Sequence, residues 1–126
     1  MINLAFILHM HQPYYKNLLT GEAELPWVRL HGIKDYLDMA LILDEFPDIH
    51  QTFNVVPSLL EQIEEYCAGT LADKFLRLSY KKVAELTPEE KGFIREHFFC
   101  ADMNRVIAVH PRYYSLFLHK HSDYAF

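Results

Sequence analysis

The sequence is poor in cysteine, glycine and basic charge, and it contains no long apolar run. Cys67 and Cys100 are too few for a disulfide framework in a chain of 126 residues, so a reduced, cytoplasmic setting is expected. Twelve Lys and Arg against seventeen Asp and Glu leave a formal charge of −5. That balance lacks the basic footprint of a nucleic-acid partner. No stretch approaches the ~18 apolar residues of a membrane span. The opening "MINLAFILHMHQP" has no basic region before its apolar run and no small-residue cleavage site after it, so no targeting segment is expected. Repeats, low-complexity tracts and an interdomain linker are also lacking.

What the chain does have is apolar bulk. It is 51% hydrophobic and 14% aromatic, a composition that favours a packed globular domain over disorder. Its length is that of one domain. The run 2–8, "INLAFIL", is too short for a helix, and its unbroken hydrophobicity suits a strand buried on both faces, as in a parallel sheet. A connection over about residues 12–27 follows, punctuated by Pro13, Gly21 and Pro26. Loops of that length are often functional.

From Val28 to Phe46 the spacing predicts a helix with only a narrow polar stripe (Lys34, Asp38, Glu45), so cover on more than one side is expected. Residues 48–55, "DIHQTFNV", read as a second strand. "VPSLLEQIEEYCAG" reads as a helix with Pro57 in its first turn and Gly69 as its stop. Strand, helix, strand, helix is the opening of a βαβ architecture.

Beyond Asn54 only helical patterns are expected: "LADKFLRLSYKKVAEL", then "TPEEKGFIREHFF" with Thr87, Pro88 and Glu90 set for a capping box, then "DMNRVIAVHPRYYSLFLHK", interrupted at Pro111. The tail carries exposed-looking aromatics at Phe98, Phe99, Tyr113, Tyr114 and Phe117. Two parallel strands bury too little to stand alone.

The segment "LHMHQPYY" carries the chemistry. His9 and His11 are two apart on a strand and so face one side. They lie at its C-terminal end, where α/β folds assemble their sites. Asn54 reaches the same rim from the second strand, and Trp27, the one tryptophan, stands at the end of the long loop. Three readings of the histidines remain open on spacing alone. They can be a structural pair bonding loop carbonyls. They can ligate a metal, as His-x-His does in barrel metallohydrolases that add ligands from later strands. Or they can face a substrate. Trp27 as a loop anchor and Asn54 as a turn residue are the bland alternatives to a sugar platform and a ligand.

"HMHQPYY", "ELPWVRLHGIKDYLDM" and "QTFNVVPSLLEQIEEY", in that order, resemble the N-terminal part of family 57 glycoside hydrolases. His11-Gln12-Pro13 matches the family's first conserved region. "PWVRLHGIKDY", "TFNVVPSLLEQ" and, less sharply, "PRYYSLF" resemble the α-amylase and amylopullulanase branch. The resemblance implies an α/β fold, the N-terminal portion of an incomplete (β/α)7 barrel, with residues 1–126 as a truncated segment of one glycosidase domain. It implies retaining chemistry on α-glucans, which requires two carboxyl groups about 5–5.5 Å apart. It also implies that His11 with Gln12 lines the subsite holding the sugar to be cleaved.

On that resemblance His9, His11, Gln12, Trp27 and Asn54 are the expected substrate-binding residues, with no catalytic residue, metal or cofactor in this chain. Neither strand offers an Asp or Glu at its C-terminal end, Glu22 and Glu24 lie in the long loop, and Asp35, Asp38, Glu64, Glu65 and Glu89 read as solvated helix faces. The expected partners are an α-glucan and either a separately encoded remainder of the barrel or a second copy. The alternative is a non-catalytic carbohydrate-binding or vestigial oligomerising protein.

Overall fold

The computed structural model describes residues 4–122. The chain divides into two compact units, Met1–Arg77 and Leu78–Phe126.

In the first unit, strand β1 (Ile7–Met10) pairs in parallel with β2 (Thr52–Val55), with Ile7 opposite Thr52 and His9 opposite Asn54. Between them run helix α1 (Trp27–His31), a π-helical turn (Gly32–Tyr36) and helix α2 (Leu37–Asp44), which continue one another without a break. Helix α3 (Pro57–Ala68) follows β2 directly. Pro57 costs it nothing at the first position, where the N–H has no intrahelical partner. Gly69 closes it in the left-handed conformation (φ +71°), which a side chain would strain. The βαβα order and the parallel pairing are those expected.

Met10, Val28 and Leu59 form the core of this unit, joining β1, α1 and α3. Tyr15, Tyr36, Met39, Phe53, Val56, Ile63 and Tyr66 pack around them.

Two expectations about the first strand and helix fail here. The strand covers 7–10 rather than 2–8; residues 2 and 3 lie outside the described residues, and 4–6 are not strand. Leu4, Phe6 and Ile7 are exposed, so the apolar run is not buried on both faces. The helix is likewise uncovered along Ile33, Leu37, Leu41, Ile42 and Phe46. The reason is the same for both: among the described residues the sheet has two strands only, so no further strand receives these side chains. The second strand is also shorter than 48–55.

The long connection is folded, not slack. Lys16 and Ala23 form an antiparallel bridge, Gly21 turns the chain at φ +74°, and Ala23 also bridges to Asp73. Gln62, fully buried on α3, fixes the start of this loop: its side chain accepts from the Tyr15 N–H at 2.8 Å and donates to the Pro13 carbonyl at 3.0 Å.

Helix α4 (Lys74–Tyr80) leads into the second unit, where a 3-10 turn (Val83–Glu85), α5 (Pro88–His97), a π-helical turn (Met103–Ile107) and α6 (Pro111–His121) follow. The capping box at Thr87 and Glu90 is present, each side chain bonding the other's backbone N–H. Pro111 opens α6 as its first residue. The aromatics of this unit are less exposed than they looked. Phe99 stacks on Tyr113 at 5.3 Å and meets Phe117 edge-on, and the Tyr113 hydroxyl donates to the Phe98 carbonyl. Of the five, Tyr114 alone is exposed.

Candidate functional site

Strand alternation builds the site. Met10 points into the core, so His9 and His11 on either side of it point out, both exposed. Their rings lie nearly parallel, 9° apart in plane, with centroids 5.9 Å apart. The parallel register sets Asn54 beside His9, and Asn54 Oδ1 is 2.9 Å from His9 Nδ1. An amide oxygen only accepts, so this nitrogen of His9 carries the proton and Nε2 is left as an acceptor when the ring is neutral.

Gln12 follows at the end of the strand and is half-buried. Its Nε2 donates to the Tyr36 hydroxyl at 3.2 Å, and its Oε1 accepts from the Tyr15 hydroxyl at 3.4 Å. The Tyr36 hydroxyl donates in turn to the His11 carbonyl at 3.3 Å. Trp27 reaches this group through two rings: it lies 6.0 Å from His31, which lies 6.3 Å from Tyr36. His31 Nδ1 is bonded to Asp35 one turn on.

The five residues picked out by the sequence therefore fall on one rim of the first unit. His9 stacks on His11 and bonds Asn54. Gln12 and Trp27 join them through Tyr36 and His31, which are not among the residues expected at the site.

The first unit also holds a buried carboxylate that no local pattern announces. Asp73 is buried, with no exposed side-chain surface, and receives four hydrogen bonds. Arg29 donates twice (2.8 and 3.1 Å), the Tyr66 hydroxyl once (3.0 Å) and the Leu76 N–H once (2.8 Å). Burial alone would push the Asp73 carboxyl up. The Arg29 guanidinium, the Leu76 N–H and the Tyr66 hydroxyl outweigh it and hold the carboxyl below its ordinary range. Burial, and then the Asp73 charge, push the Tyr66 phenol well above its ordinary value. The clamp anchors α1, which begins at Trp27, to the turn before α4.

Several of the carboxylates are paired. Glu22 faces Arg77, Glu24 accepts from Asn17, and Asp38 pairs with Lys34. Glu65 is not a solvated helix residue as expected. It pairs with Lys16 at the edge of the loop, is mostly buried, and leaves Oε2 without a partner. Asp48 precedes β2 and stands away from its C-terminal end. Among the described residues Asp35 is the one carboxylate in the rim network, bonded to His31 and half-exposed. Also among the described residues, no three His, Cys, Asp or Glu side chains are grouped to hold a metal ion, and no helix is long and apolar enough to cross a membrane.

The chemistry of this rim is that of polar recognition: exposed and half-buried imidazole, carboxamide and phenol groups, with an indole joined to them through His31. Sugars are bound by such sets, which match hydroxyls with mixed donors and acceptors and ring faces with aromatics. Residues 5–123 match the family model for glycosyl hydrolase family 57, which covers nearly the whole chain, both strands and the His11-Gln12-Pro13 triplet included. No curated protein and no solved structure matches the chain. With its mixed α/β fold and its polar rim at the ends of two parallel strands, the chain belongs to glycosyl hydrolase family 57, and its function is of the glycoside hydrolase type.

Proposed function

We propose that this chain forms one wall of an α-glucan site, of the α-amylase and amylopullulanase kind, and does not itself carry out hydrolysis. His9, His11, Gln12 and Asn54 position glucosyl hydroxyls, and Trp27 offers a ring face. The observation that carries the reading is the convergence of these groups at the C-terminal ends of β1 and β2. In α/β folds that end of the sheet is where substrates bind.

Hydrolysis with retention needs two carboxyl groups facing each other across the bond. The rim network holds one, Asp35, already bonded to His31. We infer that further strands of a (β/α)7 barrel flank β1 and β2 and bring that pair. The exposed apolar side chains of Leu4, Phe6, Ile7 and Val55, and the uncovered face of α2, support this. A strand edge left bare is prone to pair with a further strand. The two exposed free cysteines suit a reducing compartment.

The lone carboxylate equally favours a second reading, a carbohydrate-binding protein without hydrolysis. One experiment addresses both: incubate the purified chain with maltoheptaose and with cellohexaose, and follow binding and reducing ends. Saturable binding of maltoheptaose with no release of reducing ends is expected. Reducing ends released by the chain alone would overturn the claim that it lacks the acid pair; binding of neither sugar would overturn the site.

A further inference from the structure

We propose that Tyr36 is the positioning residue of this rim: its hydroxyl, set by the π-helical turn Gly32–Tyr36, orients Gln12 and the His11 carbonyl for a sugar diol. The inference rests on the α-glucan reading for its ligand, but not for its geometry.

A π-helical turn carries one more residue than an α-helical one, so it re-aims the side chains that follow, and such turns occur often at functional sites. Here the turn interrupts a helix that is regular on both sides, α1 before it and α2 after it. Its last residue is Tyr36. The ring packs against the Met10–Val28–Leu59 core, which fixes it in place, while the hydroxyl stands at the rim. There it does two things at once. It accepts from Gln12 Nε2 and donates to the His11 carbonyl.

The consequence follows from counting donors and acceptors. A glutamine side chain has two N–H donors and an oxygen with two lone pairs. Tyr36 takes one N–H and Tyr15 takes one lone pair. One N–H and one lone pair remain, in a carboxamide whose flip would cost a bond: the single Tyr36 proton could then serve the His11 carbonyl or the Gln12 oxygen, not both. Two neighbouring hydroxyls of a glucosyl ring, one accepting and one donating, complement that pair. Without the Tyr36 hydroxyl only Tyr15 holds the carboxamide, and its hydroxyl can meet either end, so either end can face the ligand. Ser58 Oγ, bonded at 3.5 Å to the Gln12 carbonyl, holds the backbone and not the side chain.

Tyr36→Phe tests this, because it removes the hydroxyl and leaves the packed ring. The Gln12 carboxamide of the 15N-labelled full chain is followed by magic-angle-spinning NMR, which is indifferent to whether the chain is a monomer. Its signal is assigned by its loss in Gln12→Leu. The expected result is an ordered carboxamide in the parent, a motionally averaged one in Tyr36→Phe, an unchanged circular dichroism melt, and maltoheptaose affinity about ten-fold weaker in the variant. A carboxamide as ordered in Tyr36→Phe as in the parent overturns the proposal. If the carboxamide loosens in the variant but the parent binds no maltoheptaose, the positioning role stands and the α-glucan reading falls.

Discussion

Asp73→Asn should remove about 3 kcal/mol of stability at neutral pH. Asp73 Oδ2 accepts from Arg29 Nε and the Tyr66 hydroxyl; Oδ1 accepts from Arg29 Nη2 and the Leu76 N–H. Asparagine has one oxygen. Its better orientation keeps that oxygen on Leu76 and Arg29 Nη2. The new NH2 then faces the Tyr66 hydroxyl, which can rotate to accept, and Arg29 Nε–H, which cannot.

The variant thus leaves a guanidinium without its counter-charge and with one donor against another. Breaking a buried pair by removing one partner costs about 3–5 kcal/mol. The Arg29 side chain keeps 18% of its exposure, which places the expectation at the lower end of that range. Urea unfolding read by fluorescence of Trp27, two residues from Arg29 and the one tryptophan in the chain, measures it. The titration is repeated at several protein concentrations to separate unfolding from association.

The same variant has a pH signature. An unfolded aspartate titrates near about 3.9. Asp73 in the fold titrates lower, so between the two values the unfolded chain binds the extra proton and stability rises with pH. Its contribution is complete above the unfolded value and is lost as pH falls through the folded one. Asparagine has no such limb, so the gap between parent and variant should close as pH drops below about 4. A neutral-pH loss under about 1 kcal/mol, the range of an exposed ion pair, would refute the buried-clamp account.

Three further outcomes are expected. Gln62→Leu removes the partner of the Tyr15 N–H and of the Pro13 carbonyl; at about 1–3 kcal/mol for each group left unmade, it should release the loop and speed hydrogen exchange at Tyr15. Thr87→Ala deletes the acceptor of the Glu90 N–H and should cost α5 about 0.5–2 kcal/mol, seen as faster exchange at Glu90. The bare edges of β1 and β2, with Phe6 and Ile7 exposed beside them, should make the purified chain associate, so light scattering at rising concentration should show mass growing above 14.9 kDa; a monomer at every concentration would count against flanking strands.

The legible parts of the fold were those written in local chemistry. Pro57 and Gly69 bracket α3, Thr87 and Glu90 start α5, and Pro111 opens α6, because caps and breakers act within a few residues of themselves. His9 and His11 were found facing one way because period-two alternation is local as well. The cover expected over 2–8 and over α2 was misjudged, because an apolar pattern states what a segment would bury and not whether the burying partner is there.

The residues missed at the site were those whose meaning is non-local. Tyr36 carried no signal of its role, because helical spacing assumes 3.6 residues per turn and the π-helical turn breaks that spacing. Asp73 carried no signal that Arg29, 44 residues earlier, would reach it. Gln62 did leave a trace: it lies three after Leu59 and one before Ile63 on the apolar face of α3, where a polar residue must find partners.

The central claim, that the His9–His11 rim is where a sugar binds, is tested most directly by the imidazole proton resonances during a maltoheptaose titration. The chain has eight histidines, and His9→Gln and His11→Gln each identify one signal by its loss. These two signals should shift saturably and together, while those of the second unit, His97, His110, His119 and His121, stay still. Shifts confined to the second unit, or none at all, would contradict it.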